Sequence, residues 1–155
     1  MPFYVTLMLA DSAQALDNKL YILGGGWSVT GPDPAPSALA VNIKVPWDRA
    51  NEQHHMVLEL LDDDGNAVEI PTPAGGQPMR IESDFEVGRP PGLRAGTPID
   101  FALAINLPPL PIPPGGRYEW RLRINEERGE DWFRAFTTRP SATPPPGEGP
   151  PTTTS

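Results

Sequence analysis

Apolar and polar residues alternate along the chain between residues 97 and 138 in a pattern typical of half-buried strands. Residues 99–107 carry apolar side chains at every odd position, and residues 117–124 carry them at every even position. Because successive side chains of a strand point to opposite faces, each segment predicts a strand with one dry and one wet face. The pattern therefore indicates antiparallel sheet.

Shorter apolar runs predict further strands, and proline and glycine clusters separate them. The sequence around Asp64, Gly65 and Asn66 predicts a tight hairpin turn. Single helical turns or loops are expected at residues 11–18 and 47–53, and a flexible loop at 71–78. The remaining runs predict strands at residues 3–10, 19–23, 27–29, 39–45, 56–60 and 79–87. About eight or nine short strands predict an all-β sandwich.

The length of 155 residues allows one well-buried domain, which we place at residues 1–139. Residues 140–155, PSATPPPGEGPPTTTS, contain no large apolar side chain. Such a segment cannot offset the entropy cost of ordering, so we expect a disordered tail that acts as a linker or as a proline-rich ligand.

The formal net charge of −8 argues against nucleic acid and against an anionic membrane surface as partners. The chain has no cysteine, which excludes disulfides and thiol chemistry. The apolar run near the amino terminus lacks a leading positive charge, so it is interpreted as a first strand, not as a signal peptide. No run approaches the roughly 20 apolar residues that cross a bilayer, and we expect a cytoplasmic protein.

Two stretches carry a family resemblance. Residues 113–138, PPGGRYEWRLRINEERGEDWFRAFTT, resemble the last two strands of an immunoglobulin-like sandwich. That resemblance implies that Tyr118 is a tyrosine corner, with a buried ring and a hydroxyl bonded to nearby backbone. Residues 9–27, LADSAQALDNKLYILGGGW, are similar to the start of a family of short uncharacterised bacterial proteins. The second resemblance implies a stand-alone bacterial domain and no particular activity.

Candidate catalytic groups are few. His54 and His55 are adjacent in a predicted strand, so they should project to opposite faces and cannot share one metal ion. The run Gly24–Gly26 follows a strand but lacks the helix and lysine of a phosphate-binding loop. Ser12 is not surrounded by a nucleophile elbow. We therefore predict no enzymatic activity and no cofactor.

The aspartates Asp62–Asp64 suggest calcium, but an EF-hand in this register would place Leu60 and Pro71 at ligand positions, where neither offers a side-chain oxygen. A looser site that adds Asp33 or Asp48 is an alternative to a solvated hairpin tip.

Arg117, Arg121, Arg123 and Arg134 are expected to form a basic row on an outer sheet face, partly neutralised by nearby glutamates. Trp47, beside a proline in a loop, is a candidate contact residue. The expected function is a non-enzymatic protein–protein interaction or assembly domain. Alternatives are a small-ligand or carbohydrate-binding module and a self-assembling structural subunit.

Overall fold

A computed structural model describes residues 2–141, and nearly all of their regular structure is β. A single 3₁₀ turn spans Trp47–Arg49. The strands, in chain order, are β1 (Tyr4–Ala10), β2 (Ser12–Leu16), β3 (Lys19–Leu23), β4 (Val29–Thr30), β5 (Ser37–Val45), β6 (His54–Asp62), β7 (Glu69–Thr72), β8 (Gly75–Pro78), β9 (Arg80–Phe85), β10 (Ile99–Leu107), β11 (Arg117–Ile124) and β12 (Phe133–Thr138).

Two main sheets contain eight of these strands. The three-stranded sheet has the order β1-β5-β10, and the five-stranded sheet has the order β4-β12-β11-β6-β9. Neighbouring strands are antiparallel except for the edge strand β4, which pairs in parallel with β12. The other four strands form two small hairpins, β2-β3 and β7-β8.

The core lies between the two main sheets, as the alternation of apolar residues predicts. In the three-stranded sheet, odd positions such as Leu7 and Ile43 are buried, and in the five-stranded sheet, even positions such as Leu58 and Leu122 are buried. All four side chains belong to one continuous cluster, so the sheets pack face to face. The prediction of an all-β fold is confirmed.

The β2-β3 hairpin forms a third layer on the outer face of the three-stranded sheet. Its Ala13 packs in a small second cluster with Ala10, Ala38 and Ala40 of β1 and β5. These alanines are at most 8% exposed, although they point away from the main core. Their small side chains allow the hairpin to approach the sheet closely, so it covers the part of the outer face around these alanines.

Two expectations for loops were wrong. Residues 12–16, expected in a helical turn or loop, form β2, because they pair in register with β3. Residues 71–78, expected in a flexible loop, contribute to the β7-β8 hairpin. Leu16 is the only large apolar residue in these two segments, so neither shows an alternation that would predict a strand, and both strands depend on backbone pairing.

Two local predictions are confirmed. The chain turns tightly after β6, where Gly65 has a φ of +81° and its N–H donates to the Asp62 carbonyl oxygen at 3.0 Å. Tyr118 is 7% exposed, and its hydroxyl donates to the Pro113 carbonyl oxygen at 3.0 Å. Burial raises the pKa of the Tyr118 hydroxyl, with a smaller effect from the negative charge of Asp62. Most of the predicted tail, residues 142–155, lies outside the described residues.

Candidate functional site

The predicted basic row does not form one surface. Arg117, Arg121 and Arg123 do share the outer face of the five-stranded sheet. Arg134, however, lies directly opposite the core residue Trp120 in the register of β11 and β12. Directly opposed residues share a face, so Arg134 belongs to the core-facing side. The prediction placed Arg134 on the wrong face because the register between the two strands could not be deduced from the sequence.

The arginines of this outer face are largely neutralised by glutamates. Arg123 bonds to Glu59 at 2.7 Å and to Glu126 at 2.9 Å, and its side chain is only 13% exposed. Arg121 bonds to Glu119 at 3.1 Å. Arg117 makes no ion pair with any residue in the range 2–141. The face therefore offers little unpaired positive charge to an acidic partner.

Trp47 lies apart from the arginines, on the 3₁₀ turn beside the three-stranded sheet. The Arg89 guanidinium stacks over its indole ring, 4.7 Å from the centroid. A shallow groove of about 240 Å³ lies beside Trp47 and is lined largely by apolar surface, including the side chain of Tyr4, which is 65% exposed. We call it the Trp47 groove.

The two histidines point to opposite faces of β6, as predicted. His54 is buried, and its Nε2 lies 2.9 Å from the Arg49 carbonyl oxygen while its Nδ1 lies 2.8 Å from Asn125 Nδ2. Both ring nitrogens are therefore occupied by structural contacts. Because the carbonyl oxygen only accepts, Nε2 carries the proton and the amide donates to Nδ1.

His55 is exposed and lies between two carboxylates. Its Nδ1 is 2.7 Å from Asp84 and its Nε2 is 3.1 Å from Glu82. The hydrogen bond to Asp84, followed by the charges of both carboxylates, raises the pKa of His55 above its usual value. This is an ion-pair arrangement on a sheet surface.

The other candidate centres take structural roles. Asp62 Oδ1 accepts the backbone N–H groups of Asp64 and Asn66, which closes the hairpin tip. Within residues 2–141, no group of three or more His, Asp or Glu side chains is arranged to hold a metal ion. Gly24 has a φ of +61°, and a Cβ there would clash with the Asp11 carboxylate, so the glycine serves a close backbone approach.

Three of the five exposed large hydrophobic residues in the described part of the chain lie on the outer face of the β2-β3 hairpin. Leu16 is 50%, Tyr21 53% and Leu23 71% exposed. In the register of the hairpin, Leu16 faces Lys19 and Gln14 faces Tyr21, so these residues share one face with Leu23. We call this surface, Leu16, Tyr21 and Leu23 with their neighbours Gln14 and Lys19, the hairpin face.

Two asparagines hold the hairpin on the sheet beneath it. Asn106 Oδ1 accepts the Ala13 N–H at 3.2 Å, and Asn106 Nδ2 donates to the Ala13 carbonyl oxygen at 2.8 Å. At the hairpin turn, Asn18 Oδ1 accepts the Ala102 N–H at 2.8 Å, and its Nδ2 donates to the Asp100 carbonyl oxygen. Side-chain amides thus replace strand pairing, and they fix the orientation in which the hairpin face meets solvent.

One strand edge of the hairpin also stays open. Because Ala13 directs its N–H and carbonyl away from β3, its partner Ile22 directs its own away from β2. Two residues earlier, Leu20 has the same orientation. Neither outward pair of backbone groups has a hydrogen-bond partner in the described part of the chain. The hairpin therefore offers backbone donors and acceptors beside its exposed apolar side chains.

Sequence reasoning did not single out the hairpin face. A signal was present, because the segment KLYIL of β3 carries apolar side chains on both faces, of which the hairpin can bury only one against the sheet. Leu20 and Ile22 pack on the alanine cluster. Tyr21 and Leu23 necessarily point outward.

A second cavity, of about 470 Å³, opens at the end of the sandwich between the loop of residues 24–37, the crossover after β10 and the ends of β11 and β12. Trp27, Trp120 and Phe136 contribute aromatic surface, and Leu110 and Ile112 contribute aliphatic surface. The Trp27 and Phe136 rings pack edge to face with centroids 5.9 Å apart. We call this the end cavity.

These features define an all-β domain of two facing sheets with an accessory hairpin. The chain belongs to a family of unknown function, DUF6941, whose match covers residues 5–132. The match includes the hairpin face and most of the end cavity, and it agrees with the resemblance to an uncharacterised family. No curated protein and no solved structure matches the chain. No helix within residues 2–141 has the length and apolar character needed to span a bilayer.

Proposed function

We propose that this chain is a non-enzymatic interaction domain whose contact surface is the hairpin face. The observation that carries the proposal is the exposure of Leu16, Tyr21 and Leu23 together on one side of a hairpin that is fixed to the body of the domain. Exposing such a cluster is unfavourable unless a partner covers it, because burial of apolar surface contributes about 25 cal/mol for each Å².

The open edge of β3 supports the same conclusion. A partner strand that pairs with Leu20 and Ile22 would satisfy their outward backbone groups and place its own side chains beside Tyr21 and Leu23. The hydrogen bonds would give affinity, and the exposed apolar side chains would give specificity. A second copy of this chain is the self-assembly version of the same contact.

We further infer that the two-sheet body is immunoglobulin-like. The strand order supports this inference: β1, β5 and β10 correspond to strands A, B and E of that fold, and β6, β9, β11 and β12 to strands C, C′, F and G. The buried Tyr118 with its bonded hydroxyl occupies the tyrosine-corner position. In this scheme the β2-β3 hairpin is an insertion between the first two main strands, and such insertions commonly carry function.

Photo-crosslinking tests the proposed surface. A benzophenone amino acid is placed at Tyr21 in the full chain, in the cells that produce it, and a matched probe is placed at Tyr4. Both tyrosines are exposed, at 53% and 65%, but only Tyr21 lies on the hairpin face. The proposal requires a discrete crosslinked species from Tyr21, absent from Tyr4. Equal or no crosslinking from the two positions contradicts it.

The Trp47 groove favours a second candidate, a small-ligand or carbohydrate-binding module. Exposed aromatic rings are the surfaces on which sugars and other flat apolar faces pack. Titration of oligosaccharides while the indole signal of Trp47 is followed tests this candidate, with Trp47→Phe to assign the signal. A saturable change that disappears in Trp47→Phe supports it, and the lack of any change across the panel counts against it.

A further inference from the structure

The described chain ends at the rim of the end cavity. Thr30 and Thr138 both line the cavity, and the Arg139 N–H donates to the Thr30 carbonyl oxygen at 3.0 Å. Pro140 lies against Gly115, whose N–H donates to the carbonyl oxygens of Thr138 and Arg139 at 3.1 and 3.2 Å. The described chain therefore ends beside the cavity opening.

The sequence that follows is rich in proline and almost uncharged. Residues 142–155 read ATPPPGEGPPTTTS, with Glu148 as their one charged side chain. Consecutive prolines favour the polyproline II helix, whose rise is about 3.1 Å per residue. Pro144 is three positions beyond Ser141, and a polyproline II chain would span about 9 Å over that separation, so the Pro144–Pro146 run is within reach of the rim.

The end cavity has the surface that binds such a helix. Grooves lined by aromatic side chains are the usual docking sites of proline-rich segments, because the rigid polyproline II helix loses little entropy on binding. Trp27 and Phe136 provide aromatic walls, and the loop that covers one side carries Pro32, Pro34 and Pro36. The charged side chains of the lining are acidic, Asp11 and Asp33, which disfavours an anionic occupant.

The cavity wall also contains a polar group without a partner. The Trp27 Nε1 donor is buried and has no acceptor among the described residues. A buried donor that loses its hydrogen bond to water is unfavourable unless an acceptor replaces it. Because proline residues have no N–H, a proline-rich segment in the cavity would not add a further unpaired donor beside Trp27.

We propose that the end cavity binds the Pro144–Pro146 segment of the same chain as a short polyproline II helix. The tail is then an internal ligand that covers the apolar surface of the cavity. This contact is independent of the hairpin face, because it lies at a different place in the domain and uses different residues.

Fluorine NMR of the full chain, labelled with 5-fluorotryptophan, tests the proposal, and Trp27→Phe assigns the resonance of Trp27. Three prolines are replaced together in the test variant, Pro144→Ala, Pro145→Ala and Pro146→Ala. The matched control is Pro150→Ala with Pro151→Ala, which removes two prolines from the same tail. We expect the Trp27 resonance to shift in the test variant, to stay in place in the control, and to be independent of protein concentration.

A peptide of residues 141–155 added to the test variant should move the resonance back towards the position seen in the unmodified chain. An unchanged Trp27 resonance in the test variant would overturn the proposal, and so would equal shifts in the test and control variants. A shift that depends on protein concentration would mean that another copy supplies the segment, and it would likewise contradict docking within one chain.

Discussion

The outward faces of the two main sheets differ in their side chains and in what covers them. On the five-stranded sheet, charged side chains of neighbouring strands pair with one another, as Glu59 does with Arg123 at 2.7 Å. On the three-stranded sheet, the outward positions Ala38 and Ala40 are 1% exposed under the β2-β3 hairpin. The outward face of the five-stranded sheet thus carries ion pairs between its own side chains, whereas the alanines of the three-stranded sheet are covered by the hairpin.

The difference explains where the molecule exposes apolar surface. A face of paired charges can meet water directly and needs no cover. A face of alanines needs a cover, and the covering hairpin has two faces of its own. Strand β3 carries apolar side chains on both of its faces. One face packs on the alanines, so the apolar side chains of the other face, Tyr21 and Leu23, are exposed to solvent. This is the physical reason for placing the contact surface there and not on the arginines.

The largest expected effect comes from placing a charge under the hairpin. Ala40→Glu should lower the free energy of unfolding by about 3 kcal/mol or more, because an unpaired carboxylate would be buried between two layers. Glu119→Ala, on the outward face of the other sheet, should cost less than about 1 kcal/mol. Urea denaturation of both variants measures the difference, and similar small losses would show that the hairpin does not seal the alanine face.

Loss of the asparagine link should have the next largest effect. Asn106→Ala removes two hydrogen bonds to the backbone of Ala13 and should destabilise the domain by about 1 kcal/mol. Amide hydrogen exchange within residues 12–23 should accelerate more than exchange in β6. Asn42→Ala is the control, because Asn42 points to the same side of the sheet without a side-chain hydrogen bond among the described residues. Unchanged exchange in the hairpin would exclude this anchoring role.

Neutralising a carboxylate on the charged face should cost less. Glu59 contacts Arg123 at 2.7 Å and Arg80 at 3.7 Å, with 26% of its side chain exposed. Glu59→Gln should lower stability by about 0.5 kcal/mol, and the loss should shrink at high salt. The control is Glu86→Gln, which removes an exposed carboxylate that has no ion pair within residues 2–141. A salt-independent loss of several kcal/mol would contradict the description of this face as a network of weak, water-exposed ion pairs.

The smallest expected effect is a pH dependence from His55. Because the folded pKa of His55 is raised, its contribution to stability is full below the unfolded pKa, near 6.5, and is lost as pH rises through the folded value. The thermal midpoint of the unmodified chain should therefore fall slightly relative to that of His55→Gln between pH 5.5 and pH 8.5. Parallel curves for the two chains would show that the pairs with Glu82 and Asp84 contribute nothing.

The sequence was sufficient for the two main sheets because burial on one face imposes an alternation that large side chains make visible. It was insufficient for β2, where Ser12, Ala13 and Ala15 give no such signal and the strand is held by pairing with β3. The sequence could not predict on which face of the sheet Arg134 lies, because this depends on the register between β11 and β12. Tyr118 was predictable because its position after a Pro-Gly turn is a local feature.

The candidate surfaces were only partly predictable for a related reason. Exposure of Tyr21 and Leu23 follows from the location of the hairpin on an alanine face, which joins residues far apart in the sequence. The end cavity likewise requires the loop around Trp27 to meet the ends of β11 and β12. A single strand pattern cannot show which of its two apolar faces will lack a cover.

The most direct test of the central claim compares the two outward faces in one co-purification experiment with the full tagged chain. One variant carries Tyr21→Ser with Leu23→Ser on the hairpin face, and the other carries Arg117→Glu with Arg121→Glu on the charged face. Light scattering on each eluate distinguishes a hetero-partner from a second copy. The account predicts that the hairpin variant loses its stoichiometric partner, or its self-association, while the arginine variant keeps it. Retention by the hairpin variant together with loss by the arginine variant would contradict the account.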